Sequence, residues 1–164
     1  MIFVTVGTHE QQFDRLVKCI DQMVADGKIK EEVINKKGYT DYEPQNCTSY
    51  KLIGYDDMKK YIDEARIIVT HGGPASFVAP LSIGKIPIVV PRQYKYNEHV
   101  NNHQLDFARE VEKRMKNIIV AENADEIIDA IEKYENIVQN IKNEIKSNNS
   151  KFINEFTKII LNII

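Results

Sequence analysis

The chain has 164 residues, 43% of them hydrophobic and 28% charged, which is enough for one domain with a normal core and leaves no room for a second. Its 22 basic and 24 acidic residues are scattered and give a net charge of −2, so no nucleic-acid-binding surface is predicted. The sequence has no apolar run near the length of a membrane span and no signal-peptide-like start, and we therefore expect a cytoplasmic protein.

The first half of the chain alternates predicted strands and helices. Apolar or β-branched runs predict the strands, and apolar residues three and four apart predict the helices. In chain order these are a strand at 1–6, a helix from Phe13 to Val24, strands at 31–36 and 50–53, and a helix that begins at Asp56 or Asp57 and buries Met58, Tyr61, Ile62 and Ala65. The two aspartates are predicted to cap this helix, because capping explains adjacent carboxylates more simply than a metal site does.

The loop after the first strand reads Gly7-Thr8-His9-Glu10. In a parallel sheet it would open at the carboxyl edge, so His9 and Glu10 could face a bound ligand. The alternatives are a solvated loop position for His9 and a favourable charge in a helix's first turn for Glu10.

The segment 67–77 carries the strongest functional signal in the chain. A β-branched run at 67–70 predicts a strand buried on both faces, and His71-Gly72-Gly73-Pro74 follows it. The two glycines allow a ligand to approach the backbone, and a proline suits the first turn of a helix. Such a helix start would attract an anion, for example a nucleotide diphosphate, although an ordinary Gly-Pro turn with a capping histidine is the alternative.

The second half of the chain continues the alternation. Its elements are a helix to about Gly84, a strand at 86–91, a helix from about His99 with Val100, Gln104, Ala108 and Val111 on one stripe, a strand at 117–120, and one or two amphipathic helices with Ile127, Ile131, Tyr134, Val138, Ile141, Ile145, Phe152, Phe156, Ile159 and Ile163 on one side. The apolar tail from Phe152 either lies back over the sheet or faces a partner or a membrane.

This alternation predicts an α/β fold with a Rossmann-like, doubly wound and mostly parallel sheet. The loops after the first strand, the strand at 67–70 and the strand at 86–91 would then share one edge. His103 and Gln104 lie in the polar first turns of the helix that reaches this edge, where they could contact a sugar or a phosphate. His99 and His103 are four residues apart and could also suggest a metal site, but no clustered thiolates or Glu-x-x-His pattern complete a ligand set.

Five segments of the chain resemble the C-terminal, donor-binding half of GT-B glycosyltransferases of family 28. They lie in the same order at 4–8, 55–58, 70–76, 84–92 and 101–105. The nearest resemblance is to the small catalytic subunits of bacterial capsular and exopolysaccharide β-1,4-galactosyltransferases, and the chain is also similar to the catalytic subunit of the dolichol-linked N-acetylglucosaminyltransferase pair. The resemblance implies a nucleotide-sugar-binding domain over 1–122 and C-terminal helices over 123–164 that pack on this domain or dock to a partner.

The resemblance also implies a binding site for a UDP-sugar donor. Its residues would be Gly7, Thr8, Tyr55, Met58, His71, Gly72, Gly73, Pro74, Ala75, Ser76, Arg92, Glu98, His99, Asn102, His103 and Gln104. Within this set the His-Gly-Gly loop and its helix would hold the diphosphate, residues 55–58 would lie by the uracil, and His103 with Gln104 would contact the hexose. No metal and no other cofactor is implied, which agrees with the lack of an Asp-x-Asp motif.

Two positions depart from the pattern of these families. The wider family usually has a glutamate for the ribose hydroxyls where this chain has Ala79. The polysaccharide relatives tend to have a glutamine where this chain has Lys36. Recognition of the ribose must therefore come from other residues.

The implied activity is an inverting transfer of a hexose from a UDP-sugar to a polyprenyl-diphosphate-linked sugar. Galactose is the first expectation, followed by glucuronic acid or N-acetylglucosamine, and Glu10 is the expected general base, with His9 next. Because a GT-B enzyme needs two Rossmann-like domains, the resemblance implies a membrane-anchored partner that supplies the acceptor-binding half and holds this chain at the inner face of the membrane. A non-catalytic UDP-sugar-binding or regulatory subunit and an epimerase are the alternatives, and the isolated chain could form a homodimer.

Overall fold

The computed structural model describes residues 1–142, and the chain divides into two compact units, Met1–Glu132 and Lys133–Ile164. The described part of the second unit is helical from residue 134. The predicted apolar positions from Ile145 to Ile163 lie outside the described residues. The assignment of residues 1–122 as the nucleotide-sugar-binding domain stays a prediction. None of the helices within residues 1–142 combines the length and apolar character that crossing a bilayer requires.

The first unit alternates strands and helices along its whole length, as the sequence predicts. Its strands are β1 Ile2–Thr5, β2 Val33–Lys36, β3 Thr48–Tyr50, β4 Ile67–His71, β5 Ile88–Val90 and β6 Ile119–Val120. Its helices are α1 Asp14–Ala25, α2 Tyr55–Glu64, α3 Pro74–Ser82, α4 His103–Met115 and α5 Ala124–Glu132, with a single turn of 3-10 helix at Tyr94–Tyr96.

The six strands form one parallel sheet in the order β3-β2-β1-β4-β5-β6 within the described residues. From β1 the chain moves outward through β2 to β3, and it then returns to place β4 on the other side of β1. The loops after β1 and β4 therefore diverge and leave a crevice at the carboxyl edge of the sheet. This topology confirms the predicted doubly wound sheet and identifies the β1–β4 junction as the place to look for a ligand.

Both faces of the sheet are covered, which is why its central strands consist of uninterrupted apolar runs. One face buries Phe3, Ile34 and Ile68 against Met58, Tyr61 and Ile62 of α2, as the helical spacing predicts. A second cluster joins Phe77, Val89, Ala108 and Ile118, which come from α3, β5, α4 and the segment before β6. The helices that follow β3 and β4 are therefore held against the same sheet whose loops form the crevice.

Two predicted helix starts are wrong. The N-cap of α2 is Gly54, with no side-chain capping bond, and Asp56 and Asp57 lie in the first turn, where their charge faces the positive helix end. Helix α4 begins at His103 rather than near 99, so Val100 leaves the predicted stripe and is 69% exposed.

The residues before α4 explain its late start. Asn97 has a left-handed backbone (φ 55°). The side chain of Asn101 accepts a hydrogen bond from the His103 N–H, and that of Asn102 accepts one from the Tyr94 N–H. Short polar side chains that bind nearby backbone groups in this way compete with helix formation.

Candidate functional site

The crevice at the β1–β4 junction contains a cavity of about 430 Å³, which we call the β1–β4 cavity. Its walls are the carboxyl ends of β1, β2 and β4, the start of α3 and one side of α2. It is lined by Thr5, Gly7, Thr8, Lys36, Met58, Ile62, Ile68, His71, Gly73, Pro74, Ala75, Ser76 and Ala79. Half of the predicted donor-binding residues therefore line one cavity, whose size is typical of a small-molecule site.

A second cavity of about 500 Å³ lies on the other side of the α3 start, and we call it the α4 cavity. It is lined by Gly72, Pro74, His99, His103, Gln104, Asp106 and Phe107. Pro74, the first residue of α3, lines both cavities. The predicted diphosphate loop thus lies between the proposed nucleotide side and the residues predicted to contact the hexose.

The His71 imidazole is packed between the two loops that bound the crevice. A Cβ atom on Gly7 would lie 2.5 Å from its Cε1, and one on Gly73 would lie 2.4 Å from its Nε2. Both distances are far below a normal contact, so the ring occupies the space that a side chain at either position would need. Gly7 also has a left-handed backbone, with φ +80°. The sequence analysis explains Gly73 by the approach of a ligand, whereas the structure shows that both Gly7 and Gly73 are first required for the packing of His71.

His71 is neutral at neutral pH. Burial, followed by the positive charges of Arg92 and Lys36, lowers its pKa to about 4, although a hydrogen bond with the Thr5 backbone opposes this shift. The side chain is only 9% exposed. A neutral imidazole has a single N–H, which the Thr5 backbone engages, so His71 positions the loops and does not bring a positive charge to the β1–β4 cavity.

Arg92 ties the loop after β1 to the segment after β5. Its guanidinium is fully buried and donates hydrogen bonds to the main-chain carbonyls of Val6, Gln11, Gln12 and Glu98 at 2.8 to 3.2 Å. It also lies 4.6 Å from the centroid of the Phe13 ring. Burial lowers its pKa to about 10, so the group stays charged at neutral pH. Arg92 thus connects the loops that bound the crevice through their main-chain carbonyls. Its complete burial does not favour the direct donor contact that the resemblance implies.

Glu98 is also fully buried, and it pairs with a residue that the sequence analysis misses. Its two carboxylate oxygens accept hydrogen bonds from Nε and Nη2 of Arg15, each at 2.9 Å, and Oε2 accepts a third from the Gln93 N–H at 3.0 Å. Arg15 also donates to the carbonyls of Pro91 and Glu122. An arginine in the first turn of an amphipathic helix normally faces solvent, so no local pattern identifies Arg15. Glu98 orders the loops, and its burial does not favour contact with a sugar.

His9 and Glu10 lie in the exposed loop after β1. The His9 ring centroid is 5.0 Å from that of His99, which lines the α4 cavity. Partial burial, Arg92 and His99 lower the pKa of His9, and the Glu10 carboxylate raises it, which places Glu10 close to His9. The two predicted general-base candidates are therefore on the side of the crevice where the hexose is predicted.

Four predicted donor contacts line neither of these cavities, namely the buried Arg92 and Glu98 and also Tyr55 and Asn102. Tyr55 is 82% exposed at the start of α2, and Asn102 binds the Tyr94 backbone through its side chain. Conversely, Lys36 enters the sequence analysis only as a departure from a pattern, and the structure brings it into the β1–β4 cavity. A lone lysine at the end of a buried strand is the one local signal that could have identified it.

Within residues 1–142 no group of three or more His, Cys, Asp and Glu side chains is placed to hold a metal ion. His99, His103 and Asp106 all line the α4 cavity, but in the described part of the chain they are not placed to hold one metal ion together. Whether the activity is independent of metal stays a prediction.

Residues 1–163 match the model of the glycosyltransferase family 28 C-terminal domain. Among curated proteins, the human (Homo sapiens) UDP-N-acetylglucosamine transferase subunit ALG13 is 33% identical over 121 residues, which cover 68% of this chain and 10% of that protein. The subunit of the same name from Yarrowia lipolytica (strain CLIB 122 / E 150) is 27% identical over 94 residues, which cover 57% of this chain and 45% of that protein. The chain therefore spans a tenth of the first relative and less than half of the second.

Two solved structures are similar in fold. The glycotransferase of kitacinnamycin has a TM-score of 0.59 at 13% identity, and the match covers 87% of this chain and 37% of the glycotransferase chain. The glycosyltransferase SnogD from Streptomyces nogalater has a TM-score of 0.55 at 20% identity, and the match covers 88% of this chain and 39% of the SnogD chain. At these identities the likeness concerns the fold alone, and it confirms the prediction of a Rossmann-like GT-B half.

The buried His71 predicts a loss of stability in mild acid. In the unfolded chain the imidazole has a pKa of about 6.5, whereas in the folded protein it is protonated only near pH 4. The contribution of His71 to the free energy of unfolding is therefore complete above about pH 6.5 and is lost as the pH falls towards 4. Between pH 7 and pH 5 the free energy of unfolding of the wild type should fall by about 2 kcal/mol more than that of His71→Gln, measured by urea denaturation. His103→Gln, which removes an exposed histidine, is the control and should keep the wild-type slope. Parallel curves for the wild type and His71→Gln would contradict this assignment.

The buried Glu98–Arg15 pair predicts a large effect of removing its negative charge. Glu98→Gln leaves the Arg15 guanidinium without a counter-charge and should lower the free energy of unfolding by about 3 kcal/mol. The matched control is Arg109→Gln, which removes one member of the exposed Arg109–Glu122 pair and should cost less than about 1 kcal/mol. Equal losses in urea denaturation would show that Glu98 does not hold the loops.

Proposed function

This chain belongs to the family of the glycosyltransferase family 28 C-terminal domain, and on that premise we propose that it binds the UDP-sugar donor of a two-component glycosyltransferase. The observation that carries the proposal is the β1–β4 cavity, where the His-Gly-Gly loop and the start of α3 meet at the sheet's topological switch point. Nucleotides bind at this position in open parallel sheets. The family match supports the reaction class, and the β1–β4 cavity supports this position for the nucleotide.

The start of α3 is suited to a diphosphate. Its first residue is Pro74, preceded by Gly73 in an extended conformation, so the positive end of the helix faces the crevice. The His71 imidazole packs against Gly73, directly before this helix start, and so fixes the position of the loop. A diphosphate in this place would have its nucleoside in the β1–β4 cavity and its hexose towards His103 and Gln104 in the α4 cavity.

The transfer itself would invert the anomeric centre. A hydroxyl of the acceptor attacks the anomeric carbon, the bond from this carbon to the distal phosphate oxygen breaks, and UDP leaves with the electron pair. Glu10, or His9 in its absence, takes the proton of the attacking hydroxyl. The positive helix end stabilises the charge that develops on the departing UDP without a metal ion.

The names of the curated relatives support one choice of donor sugar. Both are UDP-N-acetylglucosamine transferase subunits, which favours N-acetylglucosamine as the donor sugar and gives no support to galactose or to capsular synthesis. We propose a polyprenyl-diphosphate-linked sugar as the acceptor.

The acceptor half must come from outside the described residues. They contain one Rossmann-like unit, and a GT-B enzyme needs two. Both relatives are named as subunits, which supports a separate partner. We propose that this partner is membrane-anchored and holds the chain at the inner face of the membrane.

Donor binding can be tested through the glycine that contacts His71. Gly73→Ala places a Cβ 2.4 Å from the imidazole and should lower the affinity for UDP at least about tenfold, measured by isothermal titration calorimetry. Gly54→Ala is the control, since a Cβ there meets nothing within 4 Å, and it should bind UDP like the wild type. A wild-type protein without affinity for UDP would overturn the proposed function.

The role of Glu10 can be tested by transfer of labelled N-acetylglucosamine from its UDP donor to lipid acceptors in membranes that contain the partner. Loss of a general base typically lowers turnover by about 10²- to 10⁴-fold, and Glu10→Gln should do so without changing the affinity for UDP. The exposed Glu64→Gln on α2 should have no effect. Full turnover of Glu10→Gln would remove Glu10 as the base, and no transfer by the wild type with its partner would favour the alternative of a non-catalytic donor-binding subunit.

A further inference from the structure

Lys36 is a buried lysine at the carboxyl end of β2. Its side chain lines the β1–β4 cavity, and only 5% of the residue is exposed. In the sheet it lies beside Thr5 of β1, and Thr5 lies beside Thr70 of β4, the residue before His71. Lys36 is therefore two strands from the loop that leads into α3 and faces it across the cavity.

The cavity gives Lys36 no counter-charge. Apart from Lys36, every side chain that lines the cavity is apolar or uncharged, including the neutral His71. Ala79, where the wider family usually has a glutamate, supplies no carboxylate. No hydrogen bond or ion pair joins the Lys36 ammonium to any residue between 1 and 142 in this structure. Lysine residues are almost never buried to this extent unless something pairs with their ammonium group.

Structure alone does not account for this lysine. A charge that is partly desolvated without a partner destabilises the folded protein, and an apolar side chain could pack beside Met58 and Ile62 of the same cavity. Burial lowers the pKa of Lys36, and its charge in turn lowers the pKa of His71, so both groups favour the arrival of an anion. The positive end of α3, a nine-residue helix, faces the same cavity.

We propose that the Lys36 ammonium binds a phosphate group of the nucleoside diphosphate in the β1–β4 cavity, opposite the N-terminus of α3. The inference rests on the proposed function for the identity of the ligand, and on the unpaired lysine for the presence of an anion. Two sides of the diphosphate would then be held by different means, one by the dipole and N–H groups of α3 and the other by a full charge from β2.

The phosphate is a better match than a carboxylate on the donor sugar. The residues predicted to contact the hexose, His103 and Gln104, line the α4 cavity on the far side of Pro74, whereas Lys36 does not. A uronic acid carboxylate would therefore lie away from the ammonium. The common chemistry is an anionic oxygen group, and the two sources can be separated experimentally.

The test compares four proteins by isothermal titration calorimetry with UDP, uridine, inorganic pyrophosphate and UDP-glucuronate, and by thermal unfolding without ligand. Lys36→Met should bind UDP about 10- to 100-fold more weakly than the wild type and should bind uridine equally well. Its ligand-free melting temperature should equal or exceed that of the wild type, because an unpaired charge is removed. Lys36→Arg should keep the UDP affinity within about threefold, and Lys59→Met, which removes an exposed lysine of α2, should change nothing.

The outcomes separate the inference from the proposed function. If the wild type binds UDP and Lys36→Met binds it equally tightly, the inference is overturned and the proposed function stands. If the wild type binds pyrophosphate through Lys36 but shows no preference for UDP, the anion site stands and the nucleotide function fails. A lower melting temperature for Lys36→Met would indicate a structural role and overturn the inference. A loss confined to UDP-glucuronate would assign Lys36 to a carboxylate and overturn it as well.

Discussion

The packing of the His71 imidazole between Gly7 and Gly73 is the contact on which the crevice depends. The loops after β1 and β4 leave the sheet in different directions, and the ring fills the space between them so closely that neither glycine could carry a side chain. Because the ring is buried, it is neutral, and it holds the two loops together without placing an unpaired charge between them. One side chain thus sets both the width of the crevice and part of its electrostatics.

A second layer of buried polar contacts fixes the outer side of the crevice. Arg92 binds main-chain carbonyls of the loop after β1, and the Glu98–Arg15 pair joins the segment after β5 to α1. Buried charges of this kind are tolerated because nearly every polar atom has a hydrogen-bond partner. Removing one side chain of a pair would leave the charge of the other buried without a partner. This layer explains how residues that the family resemblance assigns to the donor can serve binding without reaching the surface.

The sequence predicts the architecture well because the relevant signals are local. Runs such as Ile67 to Thr70 can only be stable in a strand covered on both faces, and the strict helical spacing of Met58, Tyr61 and Ile62 leaves one orientation for α2. The errors occur where short-range side-chain bonds compete with the helix, as in the loop before His103. Arg15 and Lys36 escape prediction because their importance comes from partners, or from the lack of one, that are brought together only by the tertiary fold.

The charge distribution of the β1–β4 cavity gives a reason for the two departures from the family pattern to occur together. A glutamate at the position of Ala79, which lines the same cavity, would place a carboxylate near Lys36 and could neutralise it. With alanine there, the ammonium stays available and the cavity has a net positive charge that His71, being neutral, does not supply. Alanine in place of glutamate also removes a negative charge from the wall of a cavity that is proposed to hold a diphosphate. Lys36 and Ala79 therefore both make the cavity more positive. If a nucleoside diphosphate binds here as proposed, Lys36 and Ala79 act as a pair, in which a contact to its phosphates replaces a polar contact to the nucleoside.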